Sequence, residues 1–101
     1  MKNDLEEHIK IRVAISLGKL LESNGKFRQG SEDSMATSYG KISLNADIRK
    51  ATVSDTFNAK STPSSSTLIL IVEAMGFSLL DFAKIYESVK DSEILTFKRP
   101  D

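Results

Sequence analysis

The chain has no cysteine. Disulfides and thiolate chemistry are excluded, and a cytoplasmic setting is expected. It has no long apolar run either. The longest, Leu68–Val72, falls far short of the roughly 20 residues that a membrane span requires. The opening MKNDLEEHIK is charged throughout, so no leader is expected. A soluble chain with no membrane partner follows from these features. Histidine is nearly absent: His8 stands alone among Glu6, Glu7 and Lys10, the setting of a solvated side chain. Without cysteine or paired histidines no metal site is expected. The carboxylates stand singly or in acidic surface patches, with no spacing that suggests acid–base work. Gly25-Lys26 is not a phosphate-cradling loop, because it lacks the upstream glycine, a Ser or Thr after the lysine, and a preceding strand. No enzyme activity and no cofactor are expected. Charge of one sign is also missing, since 14 Lys and Arg balance 14 Asp and Glu. The overall positive field common among nucleic-acid binders is therefore lacking.

What is present suits one small helical domain. A chain of 101 residues buries roughly 60–70% of its surface, enough for one core without staples. Leu5, Ile9, Val13, Leu17, Leu20 and Leu21 recur at helical spacing and predict a helix over residues 4–24, with Ser23-Asn24-Gly25 as its stop. Ile11 and Ile15 fall on the opposite side of that helix and need a second partner, or they are exposed. Residues 26–37, KFRQGSEDSMAT, are polar and without period. Pro63 blocks continuation of the preceding chain, and Ser64 or Ser65 can cap a following helix over Ser65–Met75, with Met75 in the core. Ser78-Leu79-Leu80-Asp81 resembles a capping box. Leu79, Phe82, Ala83, Tyr86 and Val89 then form an apolar stripe on a fifth helix. In the tail, Ile94, Leu95 and Phe97 lie among charges, which suits a frayed end, a short strand or a segment that covers Ile11 and Ile15.

Between these parts, Ser38–Lys60 reads as a helix, a tight turn and a second helix. Ser38 can cap the first helix, and Ile42 and Ala46 share one face. Asn45-Ala46-Asp47 suits a sharp exit through the left-handed region, and Ile48 plugs the corner. In the second helix, from Arg49 to Phe57, Val53 and Phe57 point inward. That leaves Lys50, Ala51, Ser54 and Asp55 outward. Residues 38–60 carry Lys41, Arg49, Lys50 and Lys60 against Asp47 and Asp55, an excess of two positive charges. Residues 61–101 carry four cations against six carboxylates. The charge is neutral in sum but positive on this unit.

From Ser38 to Phe82 this pattern resembles the lambda-repressor-like (Cro/cI-type, XRE) helix-turn-helix family. Ser38-Tyr39 match its helix opening, Ser43 its small crossing residue and Asp47-Ile48 its turn. Val53 matches its buried β-branched residue, Asn58-Ala59-Lys60 its following turn, and Pro63 to Met75 its apolar helix, with Gly76-Phe77-Ser78-Leu79 next. The chain departs at Asp47 and Ala59, where glycine is usual, and at Thr56, where a large apolar residue is usual. The resemblance implies an all-α, compact five-helix bundle over residues 1–90, with an insertion at 26–37 and a tail at 91–101. It implies sequence-specific binding of duplex DNA by a small repressor-type transcription regulator, acting as a homodimer. The spare apolar surface favours pairing through the fifth helix and the tail; the alternative is that the tail folds back and covers those residues within one chain. Arg49, Lys50, Ala51, Thr52 and Asp55 would read bases from the major groove. Tyr39, Asn58 and Lys60 match phosphate-contact positions. The insertion is either a surface loop or an arm, with Lys26, Arg28 and Gln29 reaching a phosphate. The alternative is a protein-interaction module of the same fold, such as an antitoxin with its toxin partner or a phage-type regulator partner.

Overall fold

Six helices and no strand make up the described residues. They are α1 (Lys2–Phe27), α2 (Tyr39–Ala46), α3 (Lys50–Phe57), α4 (Ser65–Ala74), α5 (Leu79–Ser88) and α6 (Asp91–Lys98). The computed structural model describes the backbone of residues 2–27 and 38–98, and side chains over residues 5–24 and 38–98. The expected arm residues Arg28 and Gln29, together with Met35, lie outside the described residues, as does the Lys26 side chain. The expected insertion at 26–37 starts later than the sequence suggests, because Lys26 and Phe27 complete α1.

The five-helix expectation needs one correction, and the tail supplies it. Residues 91–98 form α6, which crosses α1 and buries Ile94 against Ile11 and Val89. Of the three forms the tail suited, covering Ile11 and Ile15 is the one observed: Ile11 is buried and Ile15 packs at the edge of this cluster. Each fully buried aliphatic side chain is worth about 1.5–3 kcal/mol relative to exposure, which explains why so short a helix docks at all.

The main core lies on the other face of α1. Val13, Leu17 and Leu20 pack with Ile42, Val53, Phe57, Ile71, Val72, Met75 and Phe82. Leu5 and Ile9 continue the same stripe but are exposed (66% and 47%), a second correction: α1 outruns the elements that could cover it. A third concerns its end. Asn24 does not stop the helix but is buried, and its Nδ2 donates to the Met75 carbonyl at 2.9 Å. This side chain therefore satisfies a carbonyl at the end of α4 that the helix itself leaves open.

Local signals account for the other ends. The Ser64 hydroxyl accepts from the Thr67 amide and caps α4. Ser78 and Asp81 form a complete capping box on α5, at 3.1 and 2.9 Å. α5 stops at Ser88, so Val89 belongs to the second cluster rather than to the α5 stripe. Leu79 and Ala83 are exposed, and Ile85 takes a place on the core that the stripe did not assign it. Tyr86 is half-buried. The Arg12 Nε donates to the Tyr86 carbonyl at 2.8 Å, and the guanidinium lies over the Tyr86 ring, 4.5 Å from its centroid.

Candidate nucleic-acid interface

α2 and α3 are each eight residues long, too short to be stable alone, so their placement rests on caps and burial. The Ser38 hydroxyl accepts from the Lys41 amide at 3.2 Å and opens α2. Ile42 and Ala46 are buried. Asp47 ends the helix in the left-handed region, φ 59 and ψ 47, where a non-glycine residue is uncommon and Asp is among the better tolerated. The Asp47 and Ile48 amides both donate to the Ser43 carbonyl, closing the turn. Ile48 packs partly buried against the core, as a corner plug should.

Arg49 lies just before α3 rather than in it, with extended backbone (φ −67, ψ 141) and no side-chain cap. On α3, Val53 and Phe57 are buried as their spacing predicts, and so is Thr56. The Thr56 hydroxyl donates to the Thr52 carbonyl at 2.9 Å, so its polar atom is satisfied within the helix and its methyl occupies the core. Opposite these, Arg49, Lys50 and Ala51 are exposed, while Thr52, Ser54 and Asp55 are half-buried. Among the described residues no ion pair or hydrogen bond engages the side chains of Arg49, Lys50, Asp55 or Lys60.

The exit from α3 is equally constrained. Asn58 is exposed, and its Nδ2 donates to the Ser54 carbonyl at 2.8 Å. Ala59 has φ 60, so the departure from glycine there is a real strain, on the order of 1 kcal/mol. The Lys60 amide donates to the Asp55 carbonyl at 2.8 Å, and the Lys60 side chain is exposed.

The expected base-reading residues Arg49, Lys50 and Ala51 are thus all exposed at the start of α3, while Thr52 and Asp55 are half-buried. Asn58 and Lys60 stand at the opposite end of the helix. Tyr39 is only half-buried, but its ring packs on Phe57 with centroids 4.8 Å apart, so it has a structural use whatever its hydroxyl touches. Two features went unread in the sequence. Leu44 on α2 is 80% exposed. α6 brings Phe97 and Lys98 to a shallow groove shared with Asn58 and Ala59, a placement that only the fold of the tail creates. His8 is half-buried beside α6 rather than fully solvated.

No family model, curated protein or solved structure matches the chain.

Proposed function

We propose that the chain is a sequence-specific duplex-DNA-binding domain of the lambda-repressor-like helix-turn-helix kind, a small repressor-type regulator whose α3 enters the major groove. One observation carries the reading: a short helix is held by three buried side chains while Arg49, Lys50 and Ala51 stand exposed at its start, the two cations without an ion partner among the described residues. A solvated cation with no internal partner is free to meet a phosphate or a guanine edge. The backbone adds support, because Asp47 and Ala59, the non-glycine residues with positive φ among the described residues, stand where the resembling family uses glycine. In this reading Lys50 donates to guanine, Asp55 accepts from the cytosine amino group, and the Ala51 or Thr52 methyl meets thymine. Tyr39, Asn58 and Lys60 hold phosphates.

Selection of bound sequences from random duplexes tests the proposal. Lys50→Ala and Asp55→Ala should each change preference at one base pair, by roughly 1–3 kcal/mol. Lys60→Ala should weaken all sequences alike and lower the salt slope by about one. Selection that enriches no sequence, or three variants that leave the selected site untouched, would refute it.

The exposed Leu44 and the neutral net charge favour a second reading: a protein-interaction module of the same architecture with little DNA affinity. Salt-dependent retention on duplex DNA supports the first reading, and its absence supports the second.

A further inference from the structure

The helix-turn-helix unit is poor in the charge that duplex DNA calls for. Residues 38–60 carry an excess of only two positive charges, while affinity for a duplex comes largely from neutralised phosphates. The fold brings in a cation from elsewhere. Lys98, at the end of α6, lines one shallow groove with Asn58 and Ala59 of the α3 exit, Glu7 and Ile11 of α1, and Phe97. The fastenings of α6 direct it there. Ile94 is buried against Ile11, and the Glu93 carboxylate meets the Lys19 ammonium at 2.8 Å. These ties lay the helix along α1, and its last turn arrives beside the exit of α3.

The electrostatics of this corner suit an anion. Lys98 is exposed, and among the described residues no ion pair engages it. The same holds for Lys60, two residues past Asn58. Glu7 is the carboxylate among the residues lining the groove, and Lys10 engages it at 3.3 Å. An unmatched ammonium therefore stands at the groove, and a second lies close along the chain. A lysine acts on a phosphate as a point charge on a flexible stem, without reading a base.

We propose that α6 is part of the DNA-binding surface and that Lys98 holds a backbone phosphate adjoining those assigned to Asn58 and Lys60. The proposal rests on the duplex-DNA reading and extends it. The footprint reaches past the helix-turn-helix onto a helix that lies beyond the resembling stretch, which ends at Phe82. The contact adds affinity and register rather than base preference. It also makes binding depend on the docking of the tail, since Ile94 and Glu93 are what position the cation.

A salt titration of the whole chain on a selected duplex tests this. Lys98→Gln keeps a polar stem and removes the charge. It should weaken selected and unrelated duplexes alike and make the salt slope shallower by about one, with an unchanged circular dichroism melt. The gain in affinity from about 200 to about 50 mM salt then shrinks about 3.5-fold. Lys98→Arg should keep the wild-type slope, and so should Lys84→Ala on α5, an exposed lysine outside the groove. Duplexes that each carry a single uncharged methylphosphonate locate the contact. At one position beside that sensed by Lys60, neutralisation should weaken the wild type but not Lys98→Gln. The bland role for Lys98 is local, a cation facing the carbonyl end of α6. A Lys98→Gln chain with a lower melt and the wild-type slope would show that role and overturn the proposal. So would an equal loss of slope from Lys84→Ala, which marks a general effect of charge, or a methylphosphonate series with no position specific to Lys98. A wild type that binds no duplex removes the DNA reading and this contact with it. A wild type that binds with a slope Lys98→Gln leaves intact removes only this contact.

Discussion

α3 and α6 are both helices of eight residues, yet the fold holds them very differently. α3 buries Val53, Thr56 and Phe57 in the main core, where Val53 is entirely enclosed. α6 buries Ile94 alone, in a satellite cluster with Ile11 and Val89. It compensates with polar ties. The Glu93 carboxylate accepts from the Lys90 amide at 2.9 Å and from the Lys19 ammonium at 2.8 Å. One helix is thus a part of the cooperative core, and the other is a buttress fastened from outside. The fold therefore seats α3 firmly while α6 remains the softer element.

The sharpest way to break this contrast is Val53→Asp. An unpaired carboxylate would lie between helices with nothing to satisfy it, and the domain should lose its cooperative thermal transition. A melt like that of the wild type would mean α3 is seated no more firmly than α6. Ile94→Ala should cost less, about 2 kcal/mol or more at a well-packed site. Its mark should be local: faster amide hydrogen exchange over residues 91–98, with α3 protection nearly unchanged. Equal loss in both helices would show that the two clusters form one cooperative unit.

Ala59→Gly acts on the exit of α3 in the opposite direction. It relieves a left-handed alanine and should stabilise the domain by roughly 0.5–1 kcal/mol, read as a higher denaturant midpoint at unchanged slope. The smallest effect belongs to Glu93. Its hydrogen bond from Lys19, and then that from the Lys90 amide, hold its carboxyl below the usual glutamate range. A lowered folded-state pKa means that this contribution is complete above the ordinary value near 4.5 and is lost as pH falls through the lowered one. Exchange over α6 should therefore quicken as pH falls below 4.5, after correction for intrinsic rates, more than exchange over α3. Glu93→Gln should abolish that difference, and a Gln variant that kept it would point to another group.

Local physics made much of the fold legible in advance. Ser38, Ser64 and the Ser78–Asp81 box cap helices where their side chains can reach amides three residues on, and that reach depends only on nearby sequence. The inward pair on α3 follows from the same short-range geometry: once Val53 is inside, Phe57 lies beside it. Legibility ended where distant partners decide. Ile94 could be assigned only by knowing that Ile11 waits across the fold. Leu5 and Ile9 carry the same period as Val13, and only the lengths of the other helices leave them bare. Asn24 looks like a helix stop because asparagine usually competes for nearby backbone, but here its partner is Met75, 51 positions away. At the candidate interface the exposed edge of α3 was readable. The stacking of Tyr39 on Phe57 and the arrival of Lys98 beside Asn58 were not.

The bond from Asn24 to Met75 also bears on how the protein ages. Asn24 is followed by Gly25, the pairing in which an asparagine most readily cyclises on the next amide nitrogen and hydrolyses to aspartate or isoaspartate. In the native state, helical backbone and the hold of the Met75 carbonyl on the side-chain amide oppose that ring closure. An unfolded chain has neither protection. Once deamidated it would bring a carboxylate to a buried carbonyl, two acceptors with no proton between them. Time spent unfolded would leave a chemical mark that hinders refolding, so a stored sample should divide into an intact folded fraction and a damaged one that has lost ammonia and carries an extra negative charge, separable by ion exchange.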